Sequence, residues 1–98
     1  MTRESHVELR FFSGCKELGG KAVKVRFLRG WPDRIVLWPG GIIHFVELKK
    51  PVKWVYQPRQ QRVHSWLRKM GFKVYVIKTK EEVDQYLQHM KERYELLS

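Results

Sequence analysis

The stretch GWPDRIVLWPGGIIHFVELKKP, Gly30 to Pro51, limits the fold more than any other part of the chain. Two apolar runs, Asp33 to Trp38 and Ile42 to Leu48, flank Pro39-Gly40-Gly41, a pattern that predicts a β-hairpin. Pro favours the second position of a type I turn, and a left-handed glycine after it completes a three-residue loop. That loop sets Trp38 opposite Ile42 and, counting outward, Asp33 opposite Glu47. Side chains alternate along a strand, so the two carboxylates then share one face, and Lys49, two residues past Glu47, projects from it too. A two-residue loop would put the acids on opposite faces, so the assignment depends on the turn. Both runs are apolar on both faces, which predicts a central hairpin covered by helices on each side.

The flanking sequence supplies those helices. Glu4 to Leu18 carries Val7, Phe11, Cys15 and Leu18 at helical spacing and ends at Gly19-Gly20. KAVKVRF, Lys21 to Phe27, alternates Val23, Val25 and Phe27 with Lys24 and Arg26, the period of a strand with one wetter face. After the connecting loop PVKWVYQ, Pro58 suits the first turn of a second helix reaching Met70, with Val63, Trp66, Leu67 and Met70 as its inner stripe. KVYVI, Lys73 to Ile77, is a strand, and the βαβ crossover predicts that it lies parallel to the second hairpin strand. Thr79 and Glu82 form a capping box for a third helix with Val83, Tyr86, Leu87, Met90 and Tyr94 inward. The expected fold is α/β, an α+β mixed sheet in the order helix-strand-strand-strand-helix-strand-helix. At 98 residues it is a single domain, 1–98.

Charge narrows the function. Twenty Lys and Arg against ten Asp and Glu give +10, and such an imbalance calls for a polyanion, with nucleic acid the leading partner. Cys15 is the lone cysteine, which excludes a disulfide framework and predicts a small core residue in a reducing compartment. No run is long enough to span a membrane, so no membrane partner is expected and the location is read as cytoplasmic. His6, His44, His64 and His89 are too scattered for a zinc site and are read as surface or half-buried residues.

The helices each aim one polar group at the hairpin. At about 100° per residue, Glu8 falls within the arc of Val7, Phe11, Phe12, Cys15 and Leu18, while Glu17 points away. A carboxylate on an apolar face needs a partner, and a divalent cation is one candidate. Gln60 shares the second helix's stripe with Val63, Leu67 and Met70. Two or three carboxylates beside a lysine suit metal-assisted phosphodiester hydrolysis: Asp33, Glu47 and the Leu48 carbonyl offer hard oxygen ligands to Mg²⁺, and Lys49 would orient water or stabilise developing charge. The plain alternative is a salt bridge at a strand end with Asp33 as a loop cap.

The same stretch, preceded by Glu8 and LGGKAVK and followed by PRQQRVHSWLRKMGFKVYVIKTKEEVDQYL, resembles the virus-type replication-repair nuclease (VRR-NUC) domain of the PD-(D/E)xK superfamily over Glu8 to Leu87. The resemblance implies a restriction-endonuclease-like core and a catalytic set of Glu8, Asp33, Glu47, Lys49 and Gln60. It also implies Mg²⁺ or Mn²⁺ on Asp33, Glu47 and the Leu48 carbonyl, with Glu8 reaching the ion through water. The expected activity is that of a metal-dependent, structure-selective DNA endonuclease, a hydrolase resembling stand-alone phage proteins that resolve four-way (Holliday) junctions as homodimers. That expectation places it in the cytoplasm of a bacterial host. Two other readings are a flap or nicking enzyme with the same centre and a non-catalytic DNA-binding replication accessory. Lys24, Lys50, Lys53, Arg59 and Arg62 are the candidate DNA contacts, and Arg68 and Lys69 extend the basic run. Trp31, Trp54 and Tyr56 are candidates for a contact between copies; Trp54, Val55 and Tyr56 stand where small polar residues are expected.

Overall fold

The computed structural model describes residues 6–26, 28–49 and 57–97, with side chains as far as Tyr94. Lys50, Lys53, Trp54 and Tyr56 lie outside the described residues, as do Glu4 and Phe27. Seven elements follow in order: α1 (His6–Glu17), β1 (Lys21–Lys24), β2 (Arg34–Trp38), β3 (Ile42–Leu48), α2 (Pro58–Lys69), β4 (Lys73–Ile77) and α3 (Lys80–Leu97). This is the mixed α+β architecture, and the element order, read from the sequence. The sheet runs β1-β2-β3-β4, antiparallel except for the β3–β4 pair, which is parallel as the crossover requires.

The hairpin adopts the three-residue loop. Trp38 pairs with Ile42, Ile35 with Phe45 and Arg34 with Val46. Gly40 and Gly41 take φ of 87° and 76°, the left-handed region that costs a side-chain-bearing residue roughly 1–2 kcal/mol. One residue further out, this register brings Asp33 to Glu47.

Alternation divides the sheet into two faces. On one, α1 and α3 cover Val36, Trp38, Val46, Leu48 and Ile77 with Phe11, Cys15, Val83, Tyr86 and Met90. Each large side chain fully buried there contributes roughly 1.5–3 kcal/mol. Cys15 is fully buried, the core role expected of it. On the other face α2 seals a smaller cluster, Phe45, Leu67 and Val74, flanked by Trp31, Ile35, Val63 and Phe72.

Several expectations about burial are corrected. The hairpin is not covered on both faces throughout: Leu37 and Ile43 next to the turn are 44% and 40% exposed, because α2 packs over Ile35, Phe45 and Val74 and leaves the turn end of the hairpin and β1 uncovered. For the same reason β1 inverts its expected faces, with Ala22 buried under α1 while Val23 is 39% exposed. On α2, Trp66 and Met70 are half exposed, and the fully buried side chains are Leu67, as expected, and His64; on α1, Phe12 is likewise half exposed. Nor is His44 a surface residue. Its Nδ1 lies 2.6 Å from the Tyr86 hydroxyl, which also accepts a hydrogen bond from Trp38 Nε1 at 3.0 Å, so a polar relay joins the sheet to α3 inside the core. The capping box of α3 forms as expected: the Glu82 N–H donates to Thr79 Oγ1 at 3.1 Å and the Thr79 N–H to Glu82 Oε1 at 3.1 Å.

Candidate active site

The site lies at the sheet end remote from the Pro-Gly-Gly turn. Asp33 enters β2 behind Pro32, a fully buried residue that fixes the approach. Its Oδ1 accepts a hydrogen bond from the Leu48 N–H at 2.9 Å, and its carbonyl accepts one from the Val25 N–H at 2.9 Å. The aspartate thus pins the start of β2 to the end of β3. Gly30 allows the loop before it to come in close, since a Cβ there would sit 2.5 Å from Arg59 Cγ and the backbone has φ of 79°.

Glu47 is 2% exposed on β3. Its Oε2 lies 3.3 Å from Lys49 Nζ, two residues along and on the same face. Burial, and then the neighbouring Asp33 charge, push the Glu47 carboxyl up to about 7, against the pull of Lys49. Burial also raises Asp33, opposed by the Leu48 N–H, Arg34 and Lys49. For these two acids in a poorly solvated pocket, burial outweighs the relief from Lys49, Arg34 and the Leu48 amide.

Glu8 comes from the first turn of α1, and what it meets is a residue that reading the sequence missed. Arg34, 9% exposed, donates from Nη2 to Glu8 Oε2 at 3.1 Å and from Nη1 to the Asp33 carbonyl at 3.0 Å, with Asp33 Oδ2 at 3.4 Å. The signal was available: Arg34 alternates with Val36 and Trp38 on the α1 face, so a charge there must be buried and paired. Among the described residues no three His, Cys, Asp or Glu groups converge as a metal cluster. Asp33 and Glu47 are together, while Glu8 approaches through Arg34.

Gln60 stands in the first turn of α2, half buried, and its Oε1 accepts the Gln57 N–H at 3.1 Å as part of a helix cap. The structure therefore gives Gln60 a capping partner. His64, one turn further on, is buried close enough to Lys49 and Arg68 for their charges to help burial lower its pKa to about 4. Lys24 lines a cleft with Glu8, Phe12, Ala22 and Arg34 on the α1 face of the sheet. Arg59 and Arg62 are exposed on α2, and Arg68 donates to the Val74 carbonyl at 2.9 Å, a tie from α2 to β4. Trp31 packs edge-on against Phe45 and Trp66, at 6.0 and 5.8 Å between ring centres.

No protein-family model matches the chain. A solved structure described as a VRR_NUC domain superposes with a TM-score of 0.80 at 34% identity, covering 91% of this chain and 98% of that one. The "Putative nuclease p44" of Acyrthosiphon pisum secondary endosymbiont phage 1 is 36% identical over 85 residues, 83% of this chain and 88% of that protein. The chain belongs to the VRR-NUC family. Near-complete coverage on both sides means that the VRR-NUC fold accounts for nearly the whole molecule.

Proposed function

We propose that this VRR-NUC protein is a nuclease that hydrolyses DNA phosphodiester bonds with a divalent cation, cutting branched DNA of the four-way junction type as a pair of copies. The observation that carries the metal-dependent reading is the Asp33–Glu47 pair: two close carboxyls, both raised by burial, with Lys49 3.3 Å from the deeper one. A divalent cation fits this donor set, because it would replace the mutual repulsion of the two acids with shared ligation. Asp33, Glu47 and the Leu48 carbonyl would hold Mg²⁺ or Mn²⁺, with Glu8 contributing through water. Once bound, the ion would lower the pKa of a water and neutralise charge on the phosphate.

The chain's own groups do the rest. Lys49 Nζ lies 3.3 Å from Glu47 Oε2, placed to orient the attacking water and to stabilise the added negative charge of the five-coordinate phosphorus. The net charge of +10 draws the DNA backbone, with Lys24, Arg59 and Arg62 among the described candidates for phosphate contact.

Action as a pair follows from stoichiometry. Resolving a junction takes two cuts, and each chain has one Asp33 and one Glu47. The uncovered sheet face supports a second copy as the occupant: Leu37 and Ile43 are paired neighbours there, both exposed, with Val23 on the same face. An apolar patch gains little from DNA and much from another apolar patch. Incubating the protein with labelled linear, nicked, flap and four-way DNA, with and without Mg²⁺ or Mn²⁺, tests the reading. Paired cuts in the four-way substrate, dependent on the ion, support it; cleavage of flaps alone favours the monomeric flap nuclease, and binding without cleavage the accessory protein.

A further inference from the structure

We propose that Arg34 is a positioning residue for the nuclease centre: its guanidinium holds the Glu8 carboxylate, carried on α1, in register with Asp33 on the sheet. The inference rests on the reading of Asp33 and Glu47 as metal-binding carboxylates. Its basis is the geometry of one buried side chain. Arg34 is 9% exposed, and a cation so placed costs several kcal/mol unless its donors are satisfied. Its two terminal nitrogens meet three oxygens: Nη2 donates to Glu8 Oε2 at 3.1 Å, and Nη1 donates to the Asp33 carbonyl at 3.0 Å with Asp33 Oδ2 at 3.4 Å.

The strand explains why an intermediary is needed. Asp33 and Arg34 are consecutive, so they leave β2 on opposite faces, Asp33 toward Glu47 and Arg34 toward α1. Glu8 approaches on the α1 face. Only a long, forked side chain can pair with Glu8 there and still bond the backbone and carboxylate of the residue before it. Arginine's planar fork does this; a lysine ammonium, a point charge, cannot serve all three acceptors with the same geometry. Glu8 has 27% of its side chain exposed and borders a cleft with Phe12 and Lys24, and Arg34 Nη2 fixes its Oε2 at 3.1 Å.

The test is a double-mutant cycle read in two ways. Single-turnover cleavage at saturating DNA is measured for wild type, Arg34→Met, Glu8→Gln and the double variant, and Mn²⁺ binding to the DNA-free proteins is followed by electron paramagnetic resonance. If Arg34 acts through Glu8, Arg34→Met slows cleavage on the order of 10–100-fold, the scale for residues that orient metal ligands. The double variant is then no slower than Glu8→Gln within about twofold. Mn²⁺ binding is retained or tightened, since a nearby positive charge has been removed, and DNA affinity stays within about twofold. Multiplying losses in the double variant, a wild-type rate in Arg34→Met, or loss of Mn²⁺ binding in a folded Arg34→Met protein would each overturn the proposal. Should Arg34→Met fail to fold by circular dichroism, Arg34→Lys carries the same cycle: its charge without the fork leaves cleavage impaired, and full rescue by lysine would reduce Arg34 to a counter-charge. Wild-type protein that does not cleave with Mn²⁺ would instead sink the nuclease reading itself, a distinct outcome.

Discussion

At the scale of single residues, the proposed function separates groups that would serve reaction from groups that would serve binding or fold. Glu47→Gln and Asp33→Asn each remove a carboxylate from the pair and should abolish cleavage while DNA affinity is similar or higher, because the basic surface is untouched; filter binding beside a cleavage assay checks both. Lys49→Ala should slow cleavage on the order of 10²–10³-fold, the cost of losing one charge-stabilising donor. Glu8→Ala should be slower than Glu17→Ala, since Glu17 is exposed at the far end of α1 while Glu8 meets Arg34. Gln60→Ala belongs to another class. Its Oε1 caps α2 at the Gln57 N–H, so the variant should lose about 0.5–2 kcal/mol of stability, visible in urea denaturation, whatever it does to the rate.

At the scale of elements, the hairpin was legible and the outer sheet was not. Pro39-Gly40-Gly41 admits a short loop with two left-handed residues, so the register, and with it the meeting of Asp33 and Glu47, could be counted from the sequence. Val23 could not be placed that way: alternation reveals two faces, and which one is covered depends on where α2 lies, a tertiary fact. His44 and His64 were passed over for a related reason, since imidazole side chains read as surface until a buried partner is known, whereas the alternation of Arg34 with Val36 and Trp38 did mark it as inward. The two histidines now give a prediction. Burial, then the nearby Arg93, His89 and Lys73, lower His44 to about 4 from 6.5, and burial, then Arg68 and Lys49, do the same for His64. Above about pH 6.5 both rings are neutral folded or unfolded and their full contribution is present. As pH falls from 6.5 toward 4 the unfolded chain takes up protons that the native core excludes, so stability drops, by up to about 3 kcal/mol per ring. Glu47 works in the opposite direction over much of this range, so the comparison is with His64→Leu: its urea midpoint should fall less steeply between pH 6.5 and 4 than that of wild type.

At the scale of the whole molecule, the fold places Asp33 and Glu47 at one end of the sheet and leaves apolar strand surface uncovered toward the other. If that surface joins two copies, Leu37→Lys with Ile43→Lys should shift the protein to monomer in light scattering and reduce paired cutting of four-way DNA. Nicking of one strand should persist, because neither residue is near Asp33 or Glu47. The central claim, that Asp33 and Glu47 form a cation-dependent phosphodiesterase centre, is tested most directly by cleavage of labelled four-way DNA by wild type and Glu47→Gln, with Mn²⁺ and with chelator. The account predicts cuts by wild type with Mn²⁺ and none in the other three arms. Cutting by Glu47→Gln at the wild-type rate, or by wild type in chelator, would contradict it.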